Sequence, residues 1–146
     1  MPGTAALFLL FVAFSAYFFT PQLAEIQRSE TAHSIELAQA IRVYGGAVAA
    51  FHRTNPSFAG QVLDASLNLP VWFNKPPQLS NLVIGGRAFV YYTRSPGTSP
   101  YSDGFFSNDS SPRFGIVRNG NVMSPVLGIS IATLPSLPDG TLVLEP

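Results

Sequence analysis

The sequence predicts an α+β protein, in which an N-terminal transmembrane helix continues into an amphipathic helix that packs on a small antiparallel β-sheet domain. Three observations carry this. The first 24 residues hold no charged side chain. Leu37, Ile41, Tyr44, Val48 and Phe51 recur at alternating spacings of four and three, which places all five on one helical face. After Asn55, prolines and glycines punctuate short apolar runs, and Gly85-Gly86 and Asn119-Gly120 stand between such runs as the residues two-residue hairpins demand.

The first element, residues 1–21, reads as a membrane anchor. Ala5 to Phe19 is an almost unbroken apolar run, and with its uncharged flanks it just reaches the roughly 20 residues that a helical span needs. A cleavable secretory signal would carry a basic start and small residues at the cleavage site. Here the run ends in Phe18-Phe19-Thr20-Pro21 and has no basic side chain before it. Arg28 and Glu25 nearly cancel beyond the span, so the positive-inside rule votes weakly. If the chain is bacterial, a short uncharged N-terminus left in the cytoplasm puts the C-terminal domain in the periplasm, anchored to the inner membrane.

The second element, residues 22–54, is the amphipathic helix. Pro21 either starts it or kinks one continuous helix. Glu25, Arg28, Glu30, Glu36 and Arg42 supply its solvated side. Gly45-Gly46 interrupts a good helical pattern at a cost of up to about 1 kcal/mol per glycine, so the pair either bends the helix or lets it approach the domain closely. Asn55-Pro56 ends it, because a residue before proline avoids the helical region.

The third element, residues 55–146, is the small antiparallel domain. Val62 to Leu67 forms a short helical turn and Lys75-Pro76-Pro77 forces extended chain. Leu82 to Ile84 and Ala88 to Tyr92 make the first hairpin. Phe114 to Arg118 and Asn121 to Met123 make the second. Gly128 to Thr133 and Thr141 to Leu144 are further strands, and the polar stretch 97–112 is an exposed loop. Strand alternation sends Phe89 and Tyr91 to one face and Val90 and Tyr92 to the other.

Chemistry is harder to find. Eight basic and eight acidic residues balance, which argues against a nucleic-acid footprint. The chain has no cysteine, and so no thiol nucleophile, thiolate metal ligand or disulfide framework. Its two histidines, His33 and His52, lie several helical turns apart and cannot share a metal within one chain. His52 beside Arg53 near the helix C-terminus suits the helix dipole. Asp64, Asp103, Asp109, Asp139 and Glu145 are scattered, and Asp139 in Pro138-Asp139-Gly140 reads as a turn residue. No phosphate-binding, zinc-protease, hydrolase or dinucleotide motif occurs. The expectation is a protein that is not an enzyme, without cofactor, metal or small-molecule substrate.

The aromatic residues Trp72, Phe73, Phe89, Tyr91, Tyr92, Tyr101, Phe105 and Phe106 read first as the material of a small core. Phe105 and Phe106 stand apart, because they lie in a polar loop. They are the candidate partner contact, since aromatic residues anchor interfaces.

Taken in order along the chain, these segments resemble the PilM family of short membrane proteins encoded with thin, plasmid-type type IV pili. The resemblance rests on the apolar N-terminus, Val48-Ala49-Ala50-Phe51, Asn55-Pro56-Ser57-Phe58-Ala59-Gly60, Leu69-Pro70-Val71-Trp72-Phe73, Gly86-x-x-Phe89-Val90-Tyr91 and Leu137-Pro138-Asp139-Gly140-Thr141-Leu142-Val143. It implies a role in type IV pilus biogenesis and conjugative thin-pilus assembly in the bacterial envelope, with other pilus-assembly proteins as partners and no catalytic residues. The architecture is also pilin-like in shape. That keeps open a minor pilin-like structural subunit of a pilus or secretion pseudopilus, and beyond it a membrane-anchored hydrolase or cell-wall-binding protein.

Overall fold

The computed structural model describes residues 35–94 and 113–146, all within one compact unit, Ser34–Pro146. The expected membrane anchor at 1–21 lies outside the described residues, as do residues 22–34 of the amphipathic stretch, His33, Asp103, Phe105 and Phe106. Among the described residues no helix is long and apolar enough to cross a membrane.

Helix α1, described over residues 35–54, buries the stripe its spacing predicts. Leu37, Ile41, Tyr44 and Val48 are buried in the core, and Phe51 packs against it half-buried. Full burial of such aliphatic side chains stabilises by about 1.5–3 kcal/mol each, taken as an upper estimate. Of the two roles open for the glycine pair, Gly45 takes the second. A Cβ there would stand 3.2 Å from Leu144 Cδ2 and 3.3 Å from Pro146 Cβ, so the missing side chain lets the helix lie close on the sheet. The helix stops where Pro56 forbids continuation. Thr54 Oγ1 and Asn55 Nδ2 donate back to the Phe51 carbonyl at 2.9 and 3.0 Å, satisfying one of the acceptors that every helix end leaves open.

After a single 3-10 turn at Asp64–Ser66, the chain builds six strands: β1 (Leu79–Ile84), β2 (Arg87–Tyr92), β3 (Phe114–Arg118), β4 (Asn121–Met123), β5 (Ser130–Thr133) and β6 (Leu142–Leu144). All pairings are antiparallel, in the order β1-β2-β6-β3-β4-β5. Both predicted hairpins form. Gly85 and Gly86 take φ of 59° and 71°, and Asn119 and Gly120 take 50° and 74°, the two consecutive positive values that a type I′ turn needs. Several strand starts differ from the sequence expectation. Strand β1 begins at Leu79 rather than Leu82, because Asn81, a poor strand former on propensity, is buried and held by partners from other elements. Strands β5 and β6 start at Ser130 and Leu142, and Thr141 Oγ1 instead closes a turn onto the Pro138 carbonyl at 2.7 Å.

The last strand is the keystone of the sheet. β6 pairs with β2 on one side and β3 on the other, so it alone joins the β1–β2 hairpin to the β3–β4–β5 meander. The predicted alternation holds: Val90 and Tyr92 pack toward α1, with Val83, Ile116, Leu142 and Leu144. Phe89 and Tyr91 face the other way, into a second cluster with Val117, Val122, Leu134 and Val143. Strands covered on both faces read as continuous apolar runs, which is how β2, β3 and β6 appear. The second face is covered by curling. Arg87 of β2 donates from Nη2 to the Ile131 carbonyl of β5 at 3.0 Å, although three strands separate β2 from β5. In a flat sheet they would be roughly 19 Å apart.

Candidate functional site

Most groups singled out for chemistry turn out to hold the fold. His52 Nε2 lies 3.0 Å from the Gly86 carbonyl; because a carbonyl only accepts, Nε2 carries the hydrogen, and the ring ties the end of α1 to the β1–β2 turn. Its Nδ1 is buried without a hydrogen-bond partner. Asp139 Oδ1 accepts from the Asn119 amide at 2.8 Å, so the turn residue also braces the second hairpin. Glu145 accepts from Arg87 Nε at 2.7 Å and from Nη2 as well, a bidentate pair that holds Glu145 below the usual carboxylate range chiefly through the guanidinium hydrogen bond. Among the described residues no three His, Cys, Asp or Glu side chains group as metal ligands.

The structure does assemble one polar cluster that spacing alone does not reveal. Asn81 of β1 is fully buried. Its Oδ1 accepts from the Val62 amide at 2.7 Å, and its Nδ2 donates to the Val62 carbonyl at 2.9 Å and to the Tyr44 hydroxyl at 2.7 Å. The backbone partners fix which end of the amide is which, because an N–H only donates and a C=O only accepts. Tyr44 then has its own proton to give, and donates it to Asp64 Oδ1 at 2.6 Å. Asp64 Oδ2 in turn meets Lys75 Nζ at 2.5 Å, and Lys75 lies 5.3 Å from the centroid of the Tyr44 ring.

The electrostatics follow the geometry. Burial, with the Asp64 carboxylate as its acceptor, pushes Tyr44 far above the ordinary phenol value. Burial alone would raise Asp64, but the hydrogen bonds from Lys75 and Tyr44 outweigh it and hold the carboxylate low. A phenol so strongly held neutral is no base or nucleophile near neutral pH. The cluster is a brace between α1, the 3-10 turn, β1 and the loop that carries Lys75.

What the brace presents is the segment 70–75. Phe73 stacks on Tyr44 with centroids 6.3 Å apart and planes 15° from parallel, and its amide donates to the Pro70 carbonyl at 2.9 Å. With Phe73 and Lys75 held inward, Val71 and Trp72 point out. Trp72 is 74% exposed and stands edge-on to Phe73, 6.3 Å between centroids. Between this loop and residues 36–43 of α1 opens a cleft of about 530 Å³. Sequence reasoning assigns Trp72 to the core together with Phe73, and only Phe73 packs there. The available signal was the framing by Pro70, Pro76 and Pro77, which marks a short surface turn rather than a core strand. Phe105 and Phe106, the contact expected from sequence, lie outside the described residues.

Comparison with known proteins adds an independent line. A family model described as PilM matches residues 7–144. Among solved structures, the chain is similar to a crystal structure of a PilM protein from Escherichia coli B7A, at 28% identity over 86% of this chain and 94% of that one, with a TM-score of 0.48. It is also similar to a PilM protein from Pseudomonas aeruginosa 2192, at 28% identity over 76% of this chain and 94% of that one, with a TM-score of 0.44. No curated protein matches.

Proposed function

Because the chain belongs to the PilM family, we propose that it serves type IV pilus biogenesis as a non-catalytic inner-membrane protein. Its N-terminal apolar segment holds it in the membrane, and its C-terminal domain contacts other pilus-assembly proteins in the periplasm during conjugative thin-pilus assembly. The observation that carries this reading is Trp72, a tryptophan 74% exposed on a loop whose Phe73 and Lys75 are tied to the buried Tyr44 cluster. A large aromatic side chain left in water contributes little to the fold, whereas such residues in preorganised positions anchor interfaces. Phe105 and Phe106 supply a second contact on this reading.

The test is pilus formation in cells whose only copy carries Trp72→Ala. Pilus number should fall at least several-fold while the melting temperature of the purified full chain stays within about 2 °C, since a surface truncation changes stability by about 0.5 kcal/mol or less. Normal pilus number with the variant protein present would overturn the role of this surface.

A further inference from the structure

Between Arg118 and Asp139 the chain carries no charged side chain, and within that stretch the β4–β5 loop turns apolar residues to solvent. Val126, Leu127 and Ile129 are 50, 51 and 55% exposed. Among the described residues this is the only place where three large apolar side chains within four positions are exposed. The loop is closed on itself. Buried Ser124 donates its amide to the Ile129 carbonyl at 2.9 Å, while its carbonyl and Oγ accept from the Gly128 and Leu127 amides at 2.9 and 3.3 Å. Gly128 takes a φ of 66°, and Pro125 has no N–H to satisfy. Arg87, which reaches the Ile131 carbonyl on the adjoining strand, is paired with Glu145.

Resting on the reading that the N-terminal segment holds the chain in a membrane, we propose that this loop dips into the headgroup–acyl boundary of the same bilayer as a shallow second attachment. Area and composition favour lipid over protein. Three half-exposed aliphatic side chains offer far less than the roughly 800 Å² per partner that a specific protein interface buries. Leucine and valine are under-represented among the residues that anchor such interfaces, and residues 124–130 include no aromatic or arginine side chain. A lipid surface asks for no shape complementarity. It takes apolar side chains to a depth of about 5–10 Å and penalises charges and unsatisfied N–H groups; this loop has no charge and keeps the Leu127 and Gly128 amides bonded. With the anchor already in the membrane, insertion of the loop is intramolecular, so a patch too small to bind a bilayer alone suffices.

The chain has no cysteine, so a single nitroxide label can be placed through Leu127→Cys and, for reference, through Val71→Cys, a position fully exposed to water. Each labelled full chain is reconstituted into phosphatidylcholine vesicles and checked by flotation. Collisions of the label are then measured with oxygen, which concentrates in lipid, and with a water-soluble nickel chelate. The expected oxygen-to-nickel ratio is at least several-fold higher at position 127 than at 71, and it is unchanged by added salt because no ion pair is involved. Adding Val126→Asp and Ile129→Asp together should return the label at 127 to the level at 71, with thermal melts establishing that the variant is folded. Equal ratios at the two positions, a high ratio that survives both aspartates, or one that appears only as the protein-to-lipid ratio rises and so reports contact between copies would each overturn the proposal. The two readings fail separately. A chain that does not float removes the anchor and the loop attachment with it, whereas a chain that floats with a water-exposed label at 127 keeps the anchor and removes the loop attachment alone.

Discussion

Two polar ties cross the sheet, and they are built on opposite terms. On the helix side, Asn81, Tyr44 and Asp64 form a chain of hydrogen bonds in which the first two members are fully buried. On the curled side, Arg87 reaches Glu145 and the Ile131 carbonyl from a position 42% exposed, stacked over Phe89 at 5.1 Å. Both join elements distant in sequence. A buried tie, however, has no solvent to replace a lost partner, so removing one member strands the others, whereas an exposed tie can fall back on water. The helix-side tie therefore carries more of the stability and positions the Trp72 loop. The curled-side tie closes the sheet at smaller cost to itself.

The largest effect should come from Asn81→Ala. It removes a donor and an acceptor at once, leaving the Val62 N–H and C=O and one side of the Tyr44 hydroxyl without their partner. Each stranded buried group costs about 1–3 kcal/mol, so the expected loss is about 3–4 kcal/mol, or roughly 12–20 °C in melting temperature for a domain of this size. A loss below about 1 kcal/mol would mean that water enters the site freely, and the contrast with the exposed tie would collapse.

Tyr44→Phe is the next step down. It keeps the ring that Phe73 and Lys75 cover and removes only the hydroxyl, leaving Asp64 with Lys75. The expected cost is about 1–2 kcal/mol. The variant also has a signature in alkali. Tyr44 is raised in the folded protein, so its stabilisation is complete below the unfolded phenol value of about 10 and is lost as pH rises beyond it toward the folded value. Unfolding free energies between pH 9 and 11 should decline less steeply in Tyr44→Phe than in the parent. Parallel declines would separate the hydroxyl from the brace.

These two residues also mark where the sequence stops being legible. The α1 stripe and both hairpins were readable because their signals are local: spacing within one helix, and Gly85-Gly86 or Asn119-Gly120 between apolar runs. The face assignment of Phe89 against Val90 followed from the strand period. The place of β6 was not readable, because Leu142–Leu144 pairs with β2 across about fifty residues, and no local pattern specifies that. Asn81 falls outside the strand predicted at Leu82 to Ile84 for the same reason: its partners, Tyr44 and Val62, lie 37 and 19 residues earlier. Asp64 looked solitary until folding brought Tyr44 and Lys75 to it. Trp72 was misplaced by composition, since an aromatic residue beside Phe73 looks like core whichever way its side chain points. Of the proposed contact, the aromatic type of residue was legible, whereas the outward direction of Trp72 was not, and Phe105 and Phe106 lie outside the described residues.

The curled-side tie should respond more weakly. Arg87→Ala removes the pair with Glu145, the bond to the Ile131 carbonyl and the cover over Phe89. The expected loss is about 1 kcal/mol, more than a simple surface ion pair because packing is lost too. Glu145→Gln keeps one acceptor for Arg87 and should cost about half as much. Chemical denaturation in urea measures both. A loss above about 3 kcal/mol in Arg87→Ala would show that the curl itself depends on this residue, and would erase the distinction between the two ties.

The smallest expected effect is acid sensitivity, and it is the one that both ties share. Asp64 and Glu145 are both held below their ordinary values, Asp64 by hydrogen bonds from Lys75 and Tyr44 that overcome burial, Glu145 chiefly by the hydrogen bond from Arg87. A depressed carboxyl contributes stability that is complete above its unfolded value, near 4, and is lost as pH falls through the folded one. Asp64 is 46% exposed and Glu145 29%, so solvent screening keeps each contribution within about 1 kcal/mol. The two can be told apart by salt, since a bare surface ion pair weakens as ionic strength rises, whereas Asp64 also holds the buried Tyr44 hydroxyl. Between pH 5 and 2, Asp64→Asn and Glu145→Gln should each flatten the decline in stability. In 1 M sodium chloride the flattening produced by Glu145→Gln should largely vanish, while that produced by Asp64→Asn should persist. Equal loss of both would place Asp64 electrostatically with the surface, leaving Asn81 and Tyr44 as the buried part of the brace.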